Sequence, residues 1–434
     1  MWGHLPEEAV SNYTPKDYSM KPLKTILATL ATLGTGIALA SSPPPGDGTT
    51  KRSCWVTAVE PKPLSENVLR GLAWLIGHQH DSGGWAQGEE SRTMGGRLSG
   101  KPNVGDSSSA TLALIRSGST PSDGPYADAI FKGLGYIMTK IEASDADSIS
   151  ITDVNGTRLQ AKLGPNIDTF LASLALTEAV GHMPDQESEN RLAAALNKVL
   201  HKIQKNQKTN GLWGGGGWAP ALADAMAAKG LNRARQMGMD VNLEALAMVQ
   251  SNAVSEVAAG RAVGGAGAAG VALYAGAKNL GVLQDSVNSN RERRAEVVQL
   301  AESAPTVEQR DQAKKELDRF DAAEVAFEAA QQVVIARLDD PKFVAGFGSN
   351  GGEEFLSHMN IGESLVVKGG DDWNKWDEKM TKNLNRIQNG DGTWTGHHCI
   401  TGRTFCTATA LMVLMVDRTP VPPEALASAR KVDP

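Results

Sequence analysis

The sequence predicts an all-α protein built from repeated helical hairpins, and three observations carry that prediction. One spacing, Gln-x5-Trp, occurs three times, at Gln79 and Trp85, Gln207 and Trp213, and Gln388 and Trp394. Each copy follows an apolar helical stretch: Leu72, Leu75 and Ile76; Val199, Leu200 and Ile203; Leu384 and Ile387. Composition agrees, because 41% hydrophobic residues with only 5% aromatics and 46 glycines describe Ala-rich helices joined by many turns. The motif has a physical logic. A glutamine amide closing a helix bonds freed backbone groups, a nearby glycine takes dihedrals closed to other residues, and the indole fills the gap. Recurrence of that grammar outranks any local reading, since it sets the architecture.

At 434 residues the chain suffices for one large domain or two. A net charge of −6 leaves no basic footprint, which excludes nucleic acid as a partner class. Residues 1–18 read as upstream sequence. From Met20 the chain reads as a secretory signal: Lys21 and Lys24, an apolar run over 26–40, and Ala38-Leu39-Ala40 as a small-residue cleavage site. The expectation is export to the periplasm or beyond, with cleavage near Ala40; the rival is an uncleaved anchor, although the run is short and interrupted by glycine. Residues 41–63 are rich in Pro, Ser and Gly and are expected to form a disordered linker. An exported chain with three cysteines, Cys54, Cys399 and Cys406, implies one disulfide and one free thiol. Cys54 pairs with the last repeat, or Cys399 with Cys406.

Ser65 is the expected cap of the first helix, with Val68, Leu69, Leu72, Leu75 and Ile76 on one face. A Gly-rich loop runs to Gly105, and Asp106 is expected to cap the next helix, through Leu112, Leu114 and Ile115. An outer helix over 126–141 and an inner one over 168–180 follow, Asp168 repeating the Asp106 pattern. Between them, 149–154 alternates like a strand. A helix over 189–204 reaches the second motif, and then four glycines precede Trp218. That run lacks the Lys-Ser/Thr ending of a phosphate loop and is expected to let backbones pack closely. Helices are expected over 221–229 (carrying Asp224), 243–258 and 271–282, with 260–270 a flexible link or a close-packed contact. Residues 288–338 are dense in charge and broken once at 303–306, the pattern of an antiparallel charged hairpin. It is a solvated outer hairpin or a docking arm for a protein partner. An inner helix opens at 351–358, Trp373 and Trp376 start the outer helix ending at Gln388, and the apolar run 404–414 leads to a tail over 421–434.

The three motifs resemble the QW repeats of the terpene cyclase and protein prenyltransferase superfamily, over residues 64–420 and interrupted by 288–338. The segment through Gly396-His397-His398-Cys399 and Arg403 is similar to exported prenyltransferase/squalene oxidase repeat proteins of bacteria such as planctomycetes and myxobacteria. The resemblance implies an α/α toroid whose cavity opens at the inner-helix N-termini. It would gather Asp106, Asp168, Trp218, Asp224, Glu353, Glu354, His358, His397, His398, Cys399 and Arg403 at one mouth. Helix N-termini there would favour a hydrophobic or anionic ligand. His397, His398 and Cys399, beside Glu353, Glu354 and His358, are the metal-type cluster, with zinc the implied ion. The superfamily's DxDD acid motif and its Asp-x-Cys zinc motif are both absent. Two classes of function remain: an exported binding or scaffold protein, or a metal-assisted enzyme of the prenyltransferase or cyclase type. For the enzyme, the catalytic candidates are Asp106, Asp168, Asp224, Glu353, His397 and His398.

Overall fold

A computed structural model describes residues 55–88, 100–348 and 350–429. After a short strand β1 (Val56–Thr57) come helices α1 (Glu66–Gly77), α2 (Val104–Arg116), α3 (Ala127–Ala143), α4 (Arg158–Leu163) and α5 (Ile167–Ala179). Next are α6 (Gln186–Lys205), α7 (Pro220–Gln236), α8 (Leu243–Ala258), α9 (Ala272–Ser303) and α10 (Val307–Ile335). The chain ends with α11 (Pro341–Ala345), α12 (Gly352–Lys368), α13 (Gly370–Ile387), α14 (Arg403–Leu414), β2 (Pro420–Val421) and α15 (Pro423–Ala429). The protein is all-α, and none of the described helices is long and apolar enough to cross a membrane.

Five inner helices, α2, α5, α7, α12 and α14, are buried on nearly every face, as is the first half of α9. Helices apolar or small all round can only be stable inside. Each of the six packs against two of the others: α2 on α5, α5 on α7, α7 on α9, α9 on α12, α12 on α14, and α14 back on α2. The outer helices bury one stripe each. In α1 that stripe is Val68, Gly71, Leu72 and Leu75; in α13 it is Trp373, Trp376, Met380 and Leu384.

The three Gln-x5-Trp segments fold into one turn made three times. Each glutamine Nε2 donates to a carbonyl within its own turn, Gly83 at 2.8 Å, Gly211 at 3.0 Å and Gly392 at 2.8 Å. It donates as well to a carbonyl at the start of another outer helix: Ala129 of α3, Ala245 of α8 and Asn67 of α1. Each indole Nε1 donates to the preceding helix, at Leu75, Ile203 and Leu384. The glycine is required for two reasons. Gly83, Gly211 and Gly392 have φ of 86°, 79° and 89°. A Cβ on them would also stand 2.3, 2.4 and 2.9 Å from the carbonyl oxygens of Lys132, Met248 and Arg70. The motif therefore clamps one outer helix to another, and its third copy clamps α13 back onto α1.

Several expectations are corrected. Residues 55–63 are not a free linker: β1 pairs antiparallel with β2, and Lys62 N donates to Asp417 Oδ2 at 2.8 Å. The tail is tied down too, with α15 packed on α9 and α12. The alternation at 149–154 forms no strand; the loop instead holds α4, begun by a Thr157/Gln160 capping box. The charged hairpin is no separate insertion at its first end, because α9 runs unbroken for 32 residues from the core into it. Ion pairs Arg291–Glu324, Arg293–Glu316 and Arg294–Asp321 lace it in antiparallel register, over a small core of Val297, Ala301, Ala313 and Phe320. The signal segment and Cys54 lie outside the described residues. Cys399 and Cys406 are both free thiols, so that pairing is excluded.

Candidate functional site

The turns deliver the chain to inner-helix N-termini, and side chains there receive the tryptophan backbone N–H groups. Ser107 Oγ accepts from Trp85 N at 2.8 Å, Asp224 Oδ1 from Trp213 N at 3.0 Å and Thr407 Oγ1 from Trp394 N at 3.1 Å. Asp224 thereby belongs to the repeat turn, in the same role as a serine and a threonine.

Asp106 does not cap α2. Asn103 does, accepting from Asp106 N at 3.0 Å, and its amide donates to Asp106 Oδ2 at 2.8 Å. Asp168 Oδ2 accepts from Gln160 Nε2 at 2.8 Å, while its Oδ1 is buried with no hydrogen bond in the protein. A Cβ at Gly105 would stand 2.5 Å from that oxygen, so only glycine lets α2 approach α5 here. Burial pushes Asp106 up to about 7, with the Asp168 charge adding to it, and pushes Asp168 up to about 6.

The structure brings Glu353 and Glu354 of α12 together with His398 of the loop before α14, one ligand-type atom of each lying within 4.8 Å of the others. Of the expected His397, His398 and Cys399, this group includes His398. His397 is exposed, and its backbone N–H donates to Asn350 O at 2.7 Å. Cys399 sits at φ 55°, and burial, then the charge of Glu353, raises its thiol. The glutamates are completely buried. Tyr274 Oη donates to Glu354 Oε1 at 2.5 Å and Phe347 N at 3.0 Å, and Ile400 N donates to Glu353 Oε2 at 3.2 Å. Burial, then the charge of Glu354, raises Glu353 to about 8. Burial also lowers His398 against the upward pull of Glu354. Phe347 meets His398 edge-on at 5.3 Å, and Trp218 meets Phe347 at 4.9 Å and Tyr274 at 5.9 Å, so Trp218 belongs to this wall.

Two further expected mouth residues have other surroundings. His358 faces Leu273, Phe343 and Trp376 in a cavity of about 90 Å³, and its burial lowers it to about 4. Arg403 pairs with Asp391 in the third turn.

Further along the inner helices, sequence reasoning missed a buried charge network. Arg116 Nε and Nη2 reach the Glu178 carboxylate at 2.5 and 2.6 Å, and Arg233 Nη1 reaches it at 2.8 Å. Glu363 accepts from Lys229 at 2.6 Å and Arg233 at 3.0 Å, and Lys229 also meets Asp285 at 2.9 Å. The set of three cations and three anions is neutral. The surrounding cations hold Glu363 well below the usual carboxylate range despite its burial, and the three carboxylates hold Arg233 above its own. The signal was present: charged residues inside otherwise apolar segments, such as Glu178 within Leu176-Thr177-Glu178-Ala179. No protein-family model, curated protein or solved structure matches the chain.

Proposed function

We propose that the chain is an exported binding or scaffold protein with an α/α toroid like that of the terpene cyclase and prenyltransferase superfamily, and that it takes its ligand at the inner-helix N-termini. The carrying observation is the set of buried atoms there that make no hydrogen bond: Glu353 Oε1, Glu354 Oε2, both ring nitrogens of His398, and Asp168 Oδ1. Native proteins rarely leave buried polar atoms unpaired without a functional cause. The ring of six helix contacts and the turn that clamps α13 to α1 support the toroid. Four buried carboxylates, Asp106, Asp168, Glu353 and Glu354, already answer the positive helix ends, which redirects the expected ligand from an anion to a cationic species.

The alternative is an enzyme of the prenyltransferase or cyclase type. One observation favours it: Asp106 and Glu353 are carboxyls that keep a proton near neutral pH, as a general acid must. Native mass spectrometry of the chain from an exporting host separates the readings. A stable adduct that disappears in Glu354→Gln, on a chain starting near Ser41, supports the exported binding protein. A bare chain that retains its N-terminal residues overturns it.

A further inference from the structure

We propose that Glu353, Glu354 and His398 bind one divalent transition cation of the zinc class. The inference rests on the reading of the inner-helix N-termini as the ligand-binding end, and names the ligand.

Geometry comes first. His398 Nε2 lies 3.5 Å from Glu354 Oε2. Two ligand atoms each about 2.1 Å from a tetrahedral ion stand about 3.4 Å apart, so one ion fits between them without rebuilding the site. Glu353 supplies a third atom within 4.8 Å of both.

The hydrogen bonding is divided in a way that purely structural glutamates would not need. One oxygen of each carboxylate is held: Glu354 Oε1 by Tyr274 Oη and Phe347 N, Glu353 Oε2 by Ile400 N. The other oxygen of each, Glu353 Oε1 and Glu354 Oε2, is buried and makes no hydrogen bond, nor does either His398 nitrogen, whose Nε2 faces Glu354 Oε2 at 3.5 Å. Outer bonds that orient a carboxylate while leaving its second oxygen bare are the usual support of a metal ligand. A divalent cation accepts an electron pair from one atom of each of the three side chains at once, and its charge offsets two carboxylates that burial penalises.

The backbone leaves the room. A Cβ on Gly348 would stand 2.4 Å from His398 Cδ2, and one on Gly351 would stand 2.6 Å from Glu354 Oε2 and 2.9 Å from His398 Cε1. Any side chain at either position would push the ligands apart. The donor set selects the ion: an imidazole nitrogen with two carboxylates suits zinc, manganese or iron, whereas magnesium and calcium prefer oxygen alone. Three protein ligands leave a tetrahedral ion one open position.

The test uses the full-length chain, stripped with a chelator and titrated with zinc chloride by calorimetry. One equivalent should bind. Glu354→Gln and His398→Ala should each weaken binding by at least ~tenfold, and Tyr274→Phe, which only orients Glu354, by roughly tenfold. His397→Ala and Cys399→Ser should leave the affinity within a few-fold. Cobalt in place of zinc should show no sulfur-to-metal charge-transfer band. Circular dichroism guards against misfolded variants, and Tyr274→Phe serves if a ligand variant does not fold. Absence of zinc binding by the wild-type chain overturns the proposal, as does binding kept by Glu354→Gln but lost in Cys399→Ser. If zinc fails while an organic adduct in native mass spectra depends on His398, the ion alone is wrong. A bare chain in both experiments removes the ion and the ligand-binding end together.

Discussion

The same inner helices carry two buried ionic clusters that solve the problem of burial in opposite ways. In the network of Arg116, Glu178, Lys229, Arg233, Asp285 and Glu363, three cations meet three anions at bonding distance. At the helix N-termini, Asp106 lies near Asp168 and Glu353 near Glu354, and three of their oxygens, Asp168 Oδ1, Glu353 Oε1 and Glu354 Oε2, make no hydrogen bond in the protein. A buried charge without a partner shifts toward its neutral form, and Asp106, Asp168 and Glu353 do so here. The matched cluster answers its own charges; the unmatched one is where we propose that a cation binds.

The largest effect should separate the two clusters directly. Glu363→Gln leaves Lys229 and Arg233 short of a partner and should cost about 3–5 kcal/mol in urea unfolding. Glu353→Gln in the metal-free chain should cost no more than ~0.5 kcal/mol, because Glu353 holds a proton up to about pH 8 and glutamine mimics that state. Equal losses at both positions would erase the distinction.

The repeat turns belong to neither cluster and set the scale for packing. Trp213 is 3% exposed with its indole N–H bonded, and Trp213→Ala should cost about 3–5 kcal/mol. Gly211→Ala should cost about 1–3 kcal/mol, from a positive φ and a contact with Met248 O. Thermal unfolding of the two variants ranks them.

The clusters should also titrate in opposite senses. Asp106 and Asp168 bind protons more tightly folded than unfolded, so stability should fall as pH rises from their unfolded value of 3.8 through about 6 and 7. Glu363 is depressed when folded, so its contribution is present above 4.5 and lost below it. Together they place the optimum of the metal-free chain near pH ~5. Melting temperatures across pH 4–8 should decline on the alkaline side, and Asp106→Asn should flatten that decline. An unchanged slope in the variant would show that Asp106 is not its source. The smallest effect is expected in the hairpin, where Arg294–Asp321 is solvent-exposed and Arg294→Ala should shift stability by only ~0.2–1 kcal/mol by the same assay.

What was legible in the sequence follows from the range of each interaction. The turns could be read because one short spacing holds a glutamine, a glycine and a tryptophan that act on each other and on neighbouring backbone. The charge network could not, because its six members come from five helices and meet only in three dimensions. The candidate site lies between these cases. Glu353, Glu354 and His398 were each singled out, but adjacency suggested His397 and Cys399 as the partners of His398. A left-handed residue at Cys399 bends that loop, so consecutive side chains diverge: His397 stays exposed while His398 reaches Glu354. Residues 55–63 looked like a linker because their strand partner is Pro420–Val421, at the far end of the chain.

The most direct measurement is the melting temperature of the chelator-treated chain with and without zinc, in wild type and in Glu354→Gln. An unmatched cluster built for a cation predicts that zinc raises the wild-type melting temperature, corresponding to about 2.7 kcal/mol at a hundredfold excess over Kd. It predicts a much smaller rise in the variant. No rise in wild type, or the same rise in both proteins, would contradict the account.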